Sequence, residues 1–439
     1  MNSRGNRHRV ERGKSILILL LTVSAVLLIC RFGMYQDFNL SDKQREPLGS
    51  NLGGMSNSNS EGVLTLRPVR MVLQGSEGRY GVQYSQPAIG ALFEADFGNL
   101  LREALDVAGV AESITETQWR ESINQAGIWI YYDFIYPLPL GEISVWLKNS
   151  ERQPDLNWNV RRFLLTEFEG QKSLLCLDED SGQYYRFSLP DNAGVSWDYL
   201  VNAYEPNGAT FAFEEPENFS ALAPYTLILE KPAQKVSYSV TNPLADLTEE
   251  DTDELLRALS FNPKVVSQIS VADGQRFQDG LDSIGLTEGG TITFHSRQGG
   301  SNRYQVEEMT SGSLVERCRE LLYHVLEQRM DAGTYHLRSI ALEDDGGRAE
   351  VLFEYRLDGT PVQVSRDGWA ARFVFAEGEL LDFTIHVRQY TKTETPSPVL
   401  PEIQAAAAMK SLLQEGKELL LCYIDWGDTT QVMTRWTAY

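Results

Sequence analysis

Side chains that do chemistry must converge, and spacing along the chain is the first test of convergence. The five histidines are His8, His295, His324, His336 and His386. No two share the HxxxH spacing that sets a pair of metal ligands on one helix face. His324 falls off the apolar stripe of its segment, and His386 falls on the polar side of a period-two pattern. Surface positions are therefore expected for the histidines. The sequence has no GxSxG elbow for a nucleophile, no GxxxxGK[ST] phosphate cradle and no GxGxxG turn. "CLDEDSGQYY" (Cys176–Tyr185) opens like a calcium loop, with Asp178, Asp180 and Gly182. Such a loop needs a bidentate acid at its twelfth position, and counting from Asp178 that position is Leu189. A hairpin turn fits better, and "ALEDDGGRAE" is likewise a turn. Acid pairs such as Glu214–Glu215 and Glu249–Glu250 could share proton chemistry only where a cleft joins them. No catalytic, cofactor-binding or metal-binding residue is assigned from the sequence.

Composition narrows the remaining classes. The formal charge is −22 over 439 residues. Residues 1–31 carry six Lys/Arg against one acid, so the rest of the chain stands at −27. A surface of that sign repels phosphate backbones, which excludes nucleic acid as a partner, and it stands off anionic lipid heads. Cysteine usage argues against a disulfide framework. Cys30 lies in an apolar run, and Cys176, Cys318 and Cys422 are widely spaced. Cys318 and Cys422 sit in apolar patterns and read as small buried hydrophobes. One disulfide among the three stays open at this level.

The apolar run is "GKSILILLLTVSAVLLICRFGMYQ" (Gly13–Gln36). Ser15 to Cys30 carries no charge, and Ile16 to Tyr35 reaches spanning length if Arg31 snorkels to the interface. Arg4, Arg7, Arg9, Arg12 and Lys14 precede it, so the N-terminus is expected in the cytoplasm and the remainder outside the cell. "VSA" (Val23–Ala25) resembles a cleavage site, but apolar sequence continues past it. "LLIC" resembles a lipobox, but bulky Ile29 stands where a small residue is expected. An uncleaved single-pass anchor is the expectation. Ser15, Ile18, Thr22, Ala25 and Ile29 are spaced 3-4-3-4 and form one face. A passive anchor is the plain reading of that face. The functional reading is contact with a partner's membrane helix, where small and hydroxylated residues allow close approach.

The elements beyond the anchor follow from local patterns. Residues 1–14 read as a cytoplasmic tail, 15–35 as the transmembrane helix and 36–62, rich in Gly, Ser and Asn, as a flexible tether. An N-terminal α+β region is expected over 63–232, a central α+β unit over 233–310 and a C-terminal helix plus β-meander over 311–439. Pro87 in the first turn after Ser85 begins a helix whose stripe is Ile89, Leu92, Phe93, Phe97, Leu100, Leu101, Ala104 and Leu105, ending at Gly109. Thr115 with Gln118, Thr248 with Asp251 and Ser313 with Glu316 form capping-box patterns. In "RAEVLFEYRLDG" Ala349, Val351, Phe353, Tyr355 and Leu357 alternate with polar residues. In "LLDFTIHVRQY" Leu381, Phe383, Ile385 and Val387 do the same. That period predicts antiparallel sheet covered on one face, with the Ser313 helix as the cover, hence an α+β fold with helices on one face of β-meanders.

On these residues a resemblance can be stated. "LTLRPVRMVL" with "YGVQY", and "FEYRLDGTPVQVS…ARFVFAEGELLDFTIHVRQY", resemble the YycH/YycI family of membrane-anchored regulators of the WalK (YycG) sensor histidine kinase in Gram-positive bacteria. The layout of basic tail, one spanning helix and large extracytoplasmic α+β body is similar too. The resemblance implies no catalysis and no cofactor. It implies a sensor histidine kinase as partner, with a second YycH/YycI-type protein as a further one. An anchored cell-wall hydrolase and a passive peptide- or glycan-binding module are the alternatives.

Overall fold

A computed structural model describes residues 66–147, 158–190, 197–297, 303–326, 333–343, 347–409, 417–427 and 429–438. The expected anchor 15–35, its face Ser15, Ile18, Thr22, Ala25 and Ile29, and the tether 36–62 lie outside the described residues. Among the described residues no helix is long and apolar enough to cross a membrane.

Seven strands form the first sheet: β1 (Arg70–Gly75), β2 (Gly78–Gln83), β3 (Ala111–Ile114), β4 (Trp129–Pro139), β5 (Asn159–Phe168), β6 (Gln171–Asp178) and β7 (Gln183–Ser188). Their order is β2-β1-β4-β5-β6-β7-β3, antiparallel throughout. β4 reads "WIYYDFIYPLP" because both of its faces are buried. Ile130 and Tyr132 join one apolar cluster, and Trp129 and Tyr131 join another. The first face is covered by the predicted stripe from Ile89 to Leu105, all of it buried. That stripe is not one regular helix. A π-helical turn, Phe93–Phe97, joins Gln86–Leu92 to Gly98–Asp106, and the helix ends before Gly109. The second face is covered by the helix Glu116–Asn124 through Trp119 and Ile123. At about 1.5–3 kcal/mol for each large buried side chain, these two layers are the main stabilising term of the region.

Two-residue strands β8 (Thr210–Phe211) and β9 (Leu227–Ile228) pair with each other. β10 (Lys235–Thr241) lies between β20 (Gln389–Ser397) and β22 (Gln431–Val432). The largest sheet takes β11 (Ser267–Val271), β12 (Gly274–Asp279), β13 (Asp282–Thr287) and β14 (Thr291–Ser296). It continues with β15 (Gly333–Leu342), β16 (Arg348–Leu357), β17 (Thr360–Val364), β18 (Ala371–Ala376) and β19 (Glu379–His386), and ends with β21 (Leu419–Asp425) and β23 (Thr434–Ala438). The order is β11-β12-β13-β14-β19-β18-β16-β17-β21-β23, with β15 on the other edge of β16. β14 pairs directly with β19, so strands on either side of residue 310 share one sheet.

The fold is α+β with antiparallel meanders, as expected; β17 and β21 run parallel. Both capping boxes at Thr115 and Thr248 form. The third helix differs. It runs Ser311–Leu326, and the reciprocal bonds join Thr310 and Ser313, while Glu316 pairs with Arg319. Leu314, Cys318, Leu321, Leu322, Val325 and Leu326 are buried as the stripe predicts.

The one-sided sheet needs correction. Glu354 and Arg356, on the supposedly wet face of β16, are 1% and 4% exposed and paired with each other. Arg356 Nη1 donates to the Arg67 carbonyl, so the N-terminal region covers this end of the strand. In β19 a register shift opposite Val374/Phe375 places Leu380 in the core, while Leu381 is only half-buried. A bulge moves the alternation by one residue, which period counting does not detect.

Candidate partner interface

Each residue that the sequence offered for chemistry can now be placed. His295 and His324 are exposed, and His295 Nδ1 lies 2.6 Å from Asp382 Oδ1. His336 and His386 are not surface residues. His336 is 2% exposed beside Thr334 Oγ1. His386 is half-buried next to Thr291 Oγ1 and Trp369, and burial together with Arg388 lowers its pKa to about 4. His336 lies on β15, which packs against β4, and His386 is flanked by Thr291 and Trp369, so local polarity misplaced them. Cys176, Cys318 and Cys422 are free and buried. The Asp178 loop is a hairpin turn in which Ser181 Oγ and the Asn159 and Asp180 amides donate to the Asp178 carboxylate. Glu214 accepts from Arg79 and from the Phe211 amide, whereas Glu249 and Glu250 lie in the first turn of the Glu249–Ala258 helix. None of these groups converges on another. Among the described residues no three His, Cys, Asp or Glu side chains are placed to hold a metal ion.

Charged groups do converge at one buried place. Asp133 accepts from Arg70 Nη1 at 2.9 Å, from Arg161 Nε at 2.7 Å and Nη2 at 2.9 Å, and from the Ile135 amide at 2.8 Å. Glu418 accepts from Arg70 Nη1 and from Arg161 Nη2. Arg162 lies beside Glu418 and pairs with Glu179. Burial opposes ionisation of both acids, but Arg161 and Arg70 outweigh it, and both carboxyls are held below the ordinary range. A permanently ionised acid whose oxygens face arginines cannot donate or take a proton near neutral pH. The cluster is a clamp that ties β1, β4 and β5 to the segment before β21. Two signals hinted at it: a lone Asp in the apolar strand "WIYYDFIY", and tandem arginines in "NVRRFLL".

Among the described residues one sheet edge combines full exposure with a lack of charge. Most sheet edges are managed: β2 exchanges two hydrogen bonds with the Asn207 side chain, which stands in for a neighbouring strand. β11 is different. Among the described residues it pairs with β12 alone, all five of its residues are exposed, and "SQISV" holds no charge and no proline. Val265, Ile269 and Val271 are 64%, 47% and 39% exposed. The other side of the hairpin is anchored by Phe277, 3% exposed, opposite Gln268. An uncharged, uncovered edge is a template for an added strand. Sequence reading passed over it; its mark is a chargeless segment in a chain that is 23% charged.

No family profile matches the sequence, and no curated protein does. Among solved structures, YycH from Bacillus subtilis has a similar fold, with a TM-score of 0.55 and 12% identity, over 88% of this chain and 95% of that one. The resemblance drawn from the N-terminal strands and the C-terminal meander therefore holds at the level of the fold.

Proposed function

We propose that this chain is a non-catalytic, membrane-anchored regulator of a sensor histidine kinase of the WalK (YycG) type, with its body outside the cell. The observation that carries the reading is the YycH-like fold across nearly the whole body. It agrees with the basic tail and apolar run of residues 1–35. The kinase is engaged in two places in this proposal. In the membrane, Ser15, Ile18, Thr22, Ala25 and Ile29 face a kinase helix. Outside, an extended kinase segment adds to β11, with backbone hydrogen bonds giving affinity and Ile269 and Val271 giving side-chain contact. A regulator of this kind shifts the kinase only by binding one of its states better than the other, and a few kcal/mol of difference suffices.

The test is copurification of the kinase from detergent-solubilised membranes. The wild-type chain captures it. Replacing residues 15–30 by an unrelated apolar helix, or Ile269→Lys in β11, weakens capture, and the two together abolish it. If neither change alters capture, both contact surfaces are wrong. If no kinase is captured at all, the regulatory reading fails. Protease added to intact cells degrades the body if its placement outside is right.

A further inference from the structure

In a chain with 61 acids and 39 Lys/Arg, an arginine normally finds a carboxylate. Arg70, Arg161, Arg303, Arg356 and Arg372 all do. Arg338 on β15 and Arg366 after β17 do not: among the described residues neither has an ion pair, and both line one cavity of about 130 Å³. Arg338 is held in place from two sides. Its Nη1 donates to the Gly368 carbonyl at 2.6 Å, and its guanidinium lies 5.3 Å from the centre of the Tyr136 ring. Among the described residues its Nε and Nη2 hydrogens have no acceptor. Glu354 also lines the cavity, its field reduced but not cancelled by the paired Arg356, and Asp367 is exposed at the rim. The lining thus carries two guanidiniums against one partly compensated and one solvated acid.

We propose that this cavity binds a singly charged carboxylate, supplied either by a small free acid or by an acidic peptide. Guanidinium forks match a carboxylate with two parallel hydrogen bonds. The volume is close to that of a cavity that takes one benzene ring, so an acetate-sized group fits within it. A buried carboxylate in the wall, Glu354 at 1% exposure, penalises a second negative charge on the ligand. Phosphate, carrying more than one charge near neutral pH, is the poorer fit.

The probes are acetate, N-acetylglycine as a mimic of a peptide terminus, and inorganic phosphate, each titrated into the detergent-solubilised full chain and read by ligand-observed NMR. Acetate is expected to bind saturably and phosphate more weakly. Arg366→Gln, at an exposed position that the fold does not need, weakens acetate about tenfold, the loss of one charge-assisted hydrogen-bonded pair. Arg276→Gln, at another arginine without an ion pair, leaves it unchanged. N-acetylglycine binding more tightly than acetate assigns the site to peptides, and equal binding assigns it to free acids; both support the proposal. Absence of saturable acetate binding, acetate binding unaltered in Arg366→Gln, or phosphate binding as tightly as acetate overturns it.

Discussion

Asp133→Asn is the substitution that most directly tests how the first sheet is held to the segment before β21. The side chain is fully buried and accepts four hydrogen bonds, three from arginine nitrogens. Asparagine keeps the shape but turns one acceptor into an N–H₂ donor that faces guanidinium donors. It also leaves Arg70, Arg161 and Arg162 with only Glu418 and Glu179 to balance them. Charge-assisted hydrogen bonds contribute about 1.5–3 kcal/mol each, and breaking a buried pair costs about 3–5 kcal/mol, so a loss of about 3–5 kcal/mol is expected. Urea unfolding followed by tryptophan fluorescence reads this, since Trp129 lies in β4 four residues away and is fully buried. Glu350→Gln is the control. Its pair with Arg372 is more than a third exposed on both sides and should be worth at most about 1 kcal/mol. Because the Asp133 and Glu418 pKa values are depressed on folding, their stabilisation is fully present above the unfolded carboxylate pKa near 4. It is lost as pH falls below that, toward the folded value. Wild type and Asp133→Asn should therefore differ by a constant amount between about pH 5 and 7 and converge only in acid. A loss no larger than that of Glu350→Gln, or curves that converge near neutrality, would refute the clamp.

Glu402 behaves in the opposite sense. Burial raises its carboxyl to about 7, so the folded chain holds a proton that the unfolded chain releases, and stability falls as pH rises from about 4 to 7. Glu402→Gln should remove that slope and stabilise the protein at pH 8 by roughly 3 kcal/mol, measured as urea midpoints against pH. Gly359, at φ +73°, brings the β16–β17 turn against the start of the Gln86–Leu92 helix; a Cβ there would sit 2.8 Å from the Gln86 nitrogen. Gly359→Ala should cost about 1–3 kcal/mol more than Gly170→Ala, where φ is +78° and the surroundings are empty. Cys176, Cys318 and Cys422 should resist maleimide in the native state and react after denaturation. All three are buried, and burial raises their thiol pKa values, that of Cys422 to about 11.

The legible features of this protein were those written within a turn or two of chain. The Thr115 and Thr248 caps, the stripe from Ile89 to Leu105, the hairpin at Asp178 and the alternation in β16 each depend on neighbours a few residues apart. Those patterns state which face of an element is apolar, and from that the α+β class follows. They do not state what covers the other face. Glu354, Arg356 and His336 are polar residues on a strand face that an element from elsewhere in the chain happens to bury. Glu418 meets Arg70 across 348 residues, a distance at which no periodicity carries information. The open edge at β11, and Arg338 and Arg366 without an ion pair among the described residues, are likewise facts about which partners are missing. A sequence specifies locally what each residue could pair with; only the assembled sheets decide which pairs are made and which groups are left free to bind something else.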